Sequence, residues 1–454
     1  MLGRTQYAGA FLLIGQALSW LDLAEDCISD EFGLLQRGFL TSVFAPVIGL
    51  ERIFHLDEME DQGFALLTGG QRCPSRYRVG AFRRHLPWYE VDAFCRYSSP
   101  WHYITGQRAL VSYDEHTVPR WTHKFRIKKG YVTTRNKHMR CEKFYYTYDV
   151  LNDRYLAVRA TPGKTSLMDV AVPLVRQTLR RGQPEQLHTL FDAGAGKADA
   201  GVRALWDLAD EYDPRLDVTI RAVRYPHRMK EWKALPAEQF KVYQEAGRYT
   251  GAPDKEIRLA ETTTVLKGES QEQAVRTIVC REIVPGPKKD RWHPLYTTAE
   301  QEIEAVDVLW QFRDRQHHEQ AYRVGVHDEF LDAVPAGYNK DSNPNRPGFQ
   351  RGGMQLVGWL VALVYNALAE MAVLLEGDLA GSQVRTLRRR FINRPGTLYQ
   401  TPEALIVCFD PFGGQEALIP VIDQFNAQEH HLPWLGNRLV ILCLCPQERS
   451  RQGP

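Results

Sequence analysis

The segment running from Leu187-His-Thr-Leu-Phe191 through Asp192 and Ala193-Gly-Ala-Gly196 to Asp199–Glu211 constrains this chain more than any other. Its first part is a short apolar run with strand character. Small residues then turn the chain, and the last part carries apolar side chains at helical spacing. Strand, tight turn and helix in succession form the crossover pattern of an α/β sheet. A second apolar run, Ala109-Leu-Val-Ser-Tyr113, likewise closes on an aspartate, Asp114.

A third acidic residue stands out much later. Phe312-Arg-Asp-Arg315-Gln-His-His-Glu319-Gln-Ala-Tyr322-Arg323 is helical in pattern, and its mix of arginines, histidines and aromatics is too polar for a core helix. Carboxylates from distant chain positions are what two-metal phosphoryl transfer needs, because they must converge on two cations about 3.5–4 Å apart. Magnesium prefers oxygen ligands and retains several waters, so three protein carboxylates suffice. Asp114, Asp192 and Glu319 are therefore the candidate catalytic residues and ligands for Mg²⁺ or Mn²⁺. Each aspartate taken singly also reads as an ordinary turn former. Arg315 lies four residues before Glu319, so a local ion pair on one helix face is an equal reading of that residue. His317 and His318 suggest zinc, but the His-Glu-x-x-His spacing is missing.

The stretch after Asp114 interleaves cations and rings. Trp121, His123, Arg126, Lys128, Lys129 and Tyr131 lead on to Arg135, Lys137 and Arg140. Such a pattern binds phosphates and stacks on bases, or else forms a solvated hairpin. Net charge is only +2 over 454 residues, so any nucleic-acid surface must be local. A second basic cluster, Arg385, Arg388, Arg389, Arg390 and Arg394, reads equally as a DNA contact or a solvated helix face.

Length and a hydrophobic content of 44% suit a soluble globular chain of two or three units. The eight cysteines are scattered without a Cys-x-x-Cys pair, which points away from structural zinc and toward a reducing, cytoplasmic setting. Ala8–Leu23 is apolar but has neither a basic leader nor a small-residue cleavage site. Gly353–Leu375 is strongly apolar but interrupted by Gln355, Asn366 and Glu370, so a core helix is expected rather than a membrane span. The expected organisation is a helical region over 1–100, a first α/β part over 101–215 and a β-rich insertion over 216–298. A second α/β part over 299–376 and a small α/β C-terminal unit over 377–454 follow.

Taken together, these residues resemble the DDE transposases of bacterial insertion sequences, in the branch with a β-rich insertion. There the first aspartate precedes a basic strand pair, as Asp114 does, and the second lies in a strand–turn such as Phe191-Asp192-Ala-Gly. The last acid lies in a Tyr-x2-Arg-x3-Glu-x6-Lys signature, which here reads Phe312-x2-Arg315-x3-Glu319-x6-Val326. The resemblance covers roughly residues 30–445, and the valine at the lysine position is its clearest departure. It implies an RNase H-like catalytic core that cuts and joins double-stranded DNA with Mg²⁺ or Mn²⁺, as a homodimer on DNA and close to the nucleoid. It further implies DNA contacts by Arg315, Tyr322 and Arg323, beside Lys128, Lys129 and Trp121, and end binding by residues 1–100. The alternative is a domesticated or inactive relative that binds DNA without cutting it.

Overall fold

Strands Arg108–Pro119, Gln186–Phe191 and Leu216–Arg221 lie side by side and parallel, in that order. Val111, Tyr113, Leu187, Leu190, Phe191, Val218 and Ile220 on them are fully buried. Neighbours in sequence are buried together at Leu190 and Phe191, so both faces of the ladder are covered, as parallel strands require. These strands belong to a computed structural model that describes residues 1–120, 127–245, 255–267, 272–284, 290–327, 352–375 and 383–445. Helix Leu167–Gly182 packs on the first strand, and helix Asp199–Glu211 on the third. Ser166 and Asp169 form a reciprocal capping box at the start of the former, which satisfies two backbone N–H groups that the helix itself leaves free. From inside that helix Thr178 accepts a hydrogen bond from buried Tyr113 at 2.8 Å, and Tyr113 stacks on Phe191 at 4.9 Å.

The chain divides into two units. One comprises Pro100–Leu156 and Thr161–Glu319, and the other Met1–Ser99, Ala157–Ala160 and Gln320–Pro454. In the first, the parallel strands are the middle of a mixed sheet of eleven strands among the described residues. On one side Lys137–Asp149 pairs antiparallel with Arg108–Pro119, and it also carries Lys129–Val132 and Arg154–Pro162. On the other side Leu295–Thr297 pairs antiparallel with Leu216–Arg221, and Gln273–Glu282, Lys255–Leu266 and Lys241–Glu245 follow.

The β-rich segment therefore continues the central sheet. Two details differ from the sequence reading. Strand Leu216–Arg221, grouped there with the inserted strands, extends the parallel run, and a helix, Pro226–Lys233, stands between it and the next strands. The polar helical stretch expected over Phe312–Arg323 falls on two helices, Ala305–Asp314 and Gln316–His327, divided at Arg315. Val308 and Leu309 of the former pack against Ile257, Leu259, Ile278 and Leu295 of the outer strands.

In the second unit helices Leu35–Ile48, Arg76–His85 and Trp88–Tyr97 pack on Gly352–Leu374. That last helix is long and apolar enough to cross a membrane, yet 83% of its most apolar window is buried within the protein. Its polar Gln355 is fully used: the side chain accepts from the Ala160 N–H at 2.6 Å and donates to the Val158 carbonyl at 2.8 Å. A five-stranded sheet runs in the order Gly3–Thr5, Gly396–Gln400, Ala404–Phe409, Arg438–Leu444, His431–Leu432.

The basic cluster at 385–394 is not one solvated face. Arg388 is buried and donates to the carbonyls of Pro46 and Val47 at 2.8 and 2.9 Å, closing the C-terminus of helix Leu35–Ile48. Arg385, Arg389 and Arg390 remain exposed. Cys408 and Cys445 are joined as a disulfide, a pairing the scattered spacing of the cysteines did not suggest.

The glycines that open the long apolar helix are there for close approach. A Cβ on Gly353 would sit 2.3 Å from the Arg83 carbonyl oxygen, and one on Gly352 2.1 Å from that of Leu86. Gly353→Ala should gain about 1 kcal/mol of helix propensity and lose about 1–3 kcal/mol to overpacking. A lower Tm than the parent is expected in thermal denaturation. A Tm that rises would show that the helices can separate without cost.

Candidate active site

The parallel ladder aligns Tyr113 with Phe191 and Phe191 with Ile220. The next residues along the three strands are Asp114, Asp192 and Arg221, so all three arrive at the same edge. Asp114 is not the last residue of its strand, as the apolar run suggested. The strand continues to Pro119 against Lys137–Asp149, and only its parallel pairing ends at Tyr113. Asp114 therefore sits where the ladder loses one neighbour and a groove can open. The C-terminal edges of parallel strands are where open α/β sheets place their sites.

The two-helix corner supplies the rest. Arg315 stands between the helices, and its side chain is only 6% exposed. Its Nη1 donates to Asp114 Oδ2 at 2.9 Å, and its Nη2 contacts Glu319 Oε1 and stands 3.9 Å from Asp192 Oδ1. All three sequence-nominated acids thus gather around one guanidinium. Of the two readings of Arg315, the ion pair with Glu319 is formed, and it extends to residues 123 and 201 positions away by their numbering.

Arg221 approaches Asp192 Oδ1 from the other side at 3.6 Å, and its Nη2 lies 2.9 Å from His293 Nδ1. Sequence reasoning did not find Arg221. The signal was its register position, which cannot be read before the strands are paired.

The electrostatics follow from this crowding. Burial pushes the Asp114 carboxyl up to about 6, against the pull of Arg315, and Asp192 and Glu319 add to the rise. About 26% of that side chain remains exposed, and water reaching it moderates the effect. Burial by itself would lower Arg315, but Asp114, Asp192 and Glu319 outweigh it and hold the guanidinium above its ordinary value. Among the described residues, Asp192 Oδ1 is buried and accepts no hydrogen bond.

His318 is a packing residue beneath this corner. It is fully buried, shares a 3.0 Å hydrogen bond with Ser112 through Nδ1 and stacks on Tyr148 at 4.7 Å. Among the described residues no group of three or more His, Cys, Asp or Glu is arranged to hold a metal ion, and this includes Asp114, Asp192 and Glu319, which meet through Arg315.

The nominated DNA contacts lie on different elements of the chain. Lys128 and Lys129 are exposed at the start of the outer strand pair, with Tyr131 exposed beside His138. Arg323 is exposed on its helix. Trp121 falls outside the described residues, and so do the side chains of Tyr322 and Val326.

Fold and site thus define a mixed α/β protein in which strand ends and a helix corner bring three carboxylates to one edge. No protein-family model matches this chain, and no curated protein does. Among solved structures it is similar to the piggyBac transposase in the cryo-EM structure of its synaptic complex with hairpin DNA. The similarity spans 84% of this chain and 76% of that one at 11% identity, with a TM-score of 0.41.

Burial, and next the charge of Arg315, push the His318 imidazole down to about 3, so the native ring stays neutral. Below pH ~6.5 the unfolded chain takes up a proton that the native ring refuses. The stability that His318 contributes is therefore complete above that pH and is lost as pH falls toward 3. Urea unfolding in EDTA at pH 7 and pH 5 should show a larger loss for the parent than for His318→Phe, by about 2 kcal/mol. Equal losses would mean that the ring is already charged in the native protein.

Proposed function

We propose that the unit of Pro100–Leu156 and Thr161–Glu319 carries the RNase H-like catalytic core, with its β-rich insertion, of a DDE transposase of the insertion-sequence type, cutting and rejoining double-stranded DNA. The observation that carries this reading is the meeting of Asp114, Asp192 and Glu319 around the Arg315 guanidinium. Acids so far apart in sequence have no need to meet for folding, and like charges held together cost free energy unless a cation offsets them.

The chemistry of the donor set suits a hard divalent cation, although Arg315 stands among the three acids and they form no ready metal cluster. Three carboxylates supply oxygen ligands only, and Asp192 keeps a buried oxygen that accepts no hydrogen bond. Asp114, Asp192 and Glu319 would hold Mg²⁺ or Mn²⁺. Bound there, the cations would neutralise charge on the attacking and leaving oxygens of an in-line displacement. The chain's own part is positioning. Exposed Lys128 and Lys129 bind backbone phosphates, and Tyr131 and Trp121 offer faces for bases. The resemblance assigns contacts with the transposon end to Arg323 and Tyr322. Water opens a phosphodiester at that end, and the freed 3′-hydroxyl attacks target DNA. The resemblance implies that a homodimer pairs the two ends.

A relative that binds DNA without cutting it is the second reading. It is favoured by Val326 at the signature lysine and by Arg315 seated on all three acids.

The deciding assay is Mg²⁺-dependent cleavage of duplex DNA carrying the sequences that flank the protein's own gene. Asp114→Asn, Asp192→Asn and Glu319→Gln should each lower the rate by about 10³-fold, roughly 4 kcal/mol in the barrier. Cleavage by Asp192→Asn at the parent rate would sink the metal-site reading. Duplex binding with no cleavage by the parent would establish the second one. Lys128→Ala and Lys129→Ala should each reduce the salt slope of duplex binding by about 1.

A further inference from the structure

We infer that Arg315 is a built-in counter-cation: it holds the three carboxylates assembled in the metal-free protein and competes with divalent cations for them. The inference rests on the reading of Asp114, Asp192 and Glu319 as a cation site, and it concerns what stands in that site before a cation arrives.

Three observations carry it. The guanidinium is shared: one side chain touches Asp114 and Glu319 and stands 3.9 Å from Asp192, with only 6% of its surface exposed. An arginine stationed for DNA would present its donors outward, whereas this one turns them onto the acids. Second, the neutralisation is incomplete. Asp192 Oδ1 is buried without a hydrogen bond, and its two nearest cations, Arg221 and Arg315, come no closer than 3.6 and 3.9 Å. Three carboxylates and two guanidinium groups leave the cluster one negative charge in excess. Third, Arg315 lies at the division between helices Ala305–Asp314 and Gln316–His327, with its guanidinium 5.8 Å from the Phe312 ring. A side chain at such a corner can be re-aimed without unwinding either helix.

Arginine suits this task because it is permanently charged and its five N–H donors form a planar fork. It cannot release the acids by losing a proton. A cation must displace it, and the displaced guanidinium is then free to meet an incoming phosphate. Lysine would offer a single point charge, unable to span three carboxylates from the same position.

The test is Mn²⁺ binding by the full-length protein after EDTA treatment, read as free Mn²⁺ by electron paramagnetic resonance and as Tm with and without Mn²⁺. Arg315→Gln should lower the Tm in EDTA, bind Mn²⁺ about tenfold more tightly than the parent and gain more Tm from it. Arg315→Lys, which keeps the charge and so protects folding, should bind Mn²⁺ with intermediate affinity. Affinities of both variants within twofold of the parent would overturn the counter-cation role while leaving the cation site standing. Loss of Mn²⁺ binding in Asp192→Asn confirms that site. Equal binding by Asp192→Asn and the parent would remove the site itself, and the inference with it.

Discussion

The alignment of Tyr113, Phe191 and Ile220 across three parallel strands is the constraint on which the rest of the site depends. Because facing residues in a parallel ladder share a level, the next residue on each strand reaches the same edge. That one register delivers Asp114, Asp192 and Arg221 together without any local signal among them. The stacked rings of Tyr113 and Phe191, and the hydrogen bond from Tyr113 to Thr178, fix the ladder just below the charges. A slip of one residue in either strand would turn its aspartate to the opposite face from the other.

Above this edge, the helix corner brings opposite charge to a place that needs it. Burial raises the proton affinity of Asp114, and Arg315 counters that rise. Beneath the same corner His318 is kept neutral and stacked on Tyr148, so its ring adds packing without adding charge. The histidine thus belongs to the support of Glu319, which its position one residue earlier on the helix makes possible.

What could be read in advance divides along the line between local and distant causes. Asp192 announces itself through strand, turn and helix, and Glu319 with Arg315 through their spacing of four on a helix. The contact between Arg315 and Asp114 spans 201 positions, and no periodicity encodes it. Strand Leu216–Arg221 was grouped with the inserted strands because an apolar run has the same pattern whether its neighbour is parallel or antiparallel. Arg221 was missed for the same reason. Composition records charge density, so the arginine cluster leaves Arg388 open between a DNA contact and a solvated face. Arg388 is buried because the carbonyls ending helix Leu35–Ile48 required donors. The division of the polar helix at Arg315 has no glycine or proline to mark it, and nothing in residues 314–316 signals it.

The pairing of Leu295–Thr297 with Leu216–Arg221 gives the β-rich segment a role apart from any ligand. An edge strand exposes a row of unpaired N–H and C=O groups, an invitation to other chains. Cut away the segment, and the strand that ends in Arg221 becomes such an edge, bare and rich in Val, Thr and Ile. The segment is thus the hem of the acid-bearing ladder, and any shortened descendant of this chain would need another strand in its place to stay single and folded.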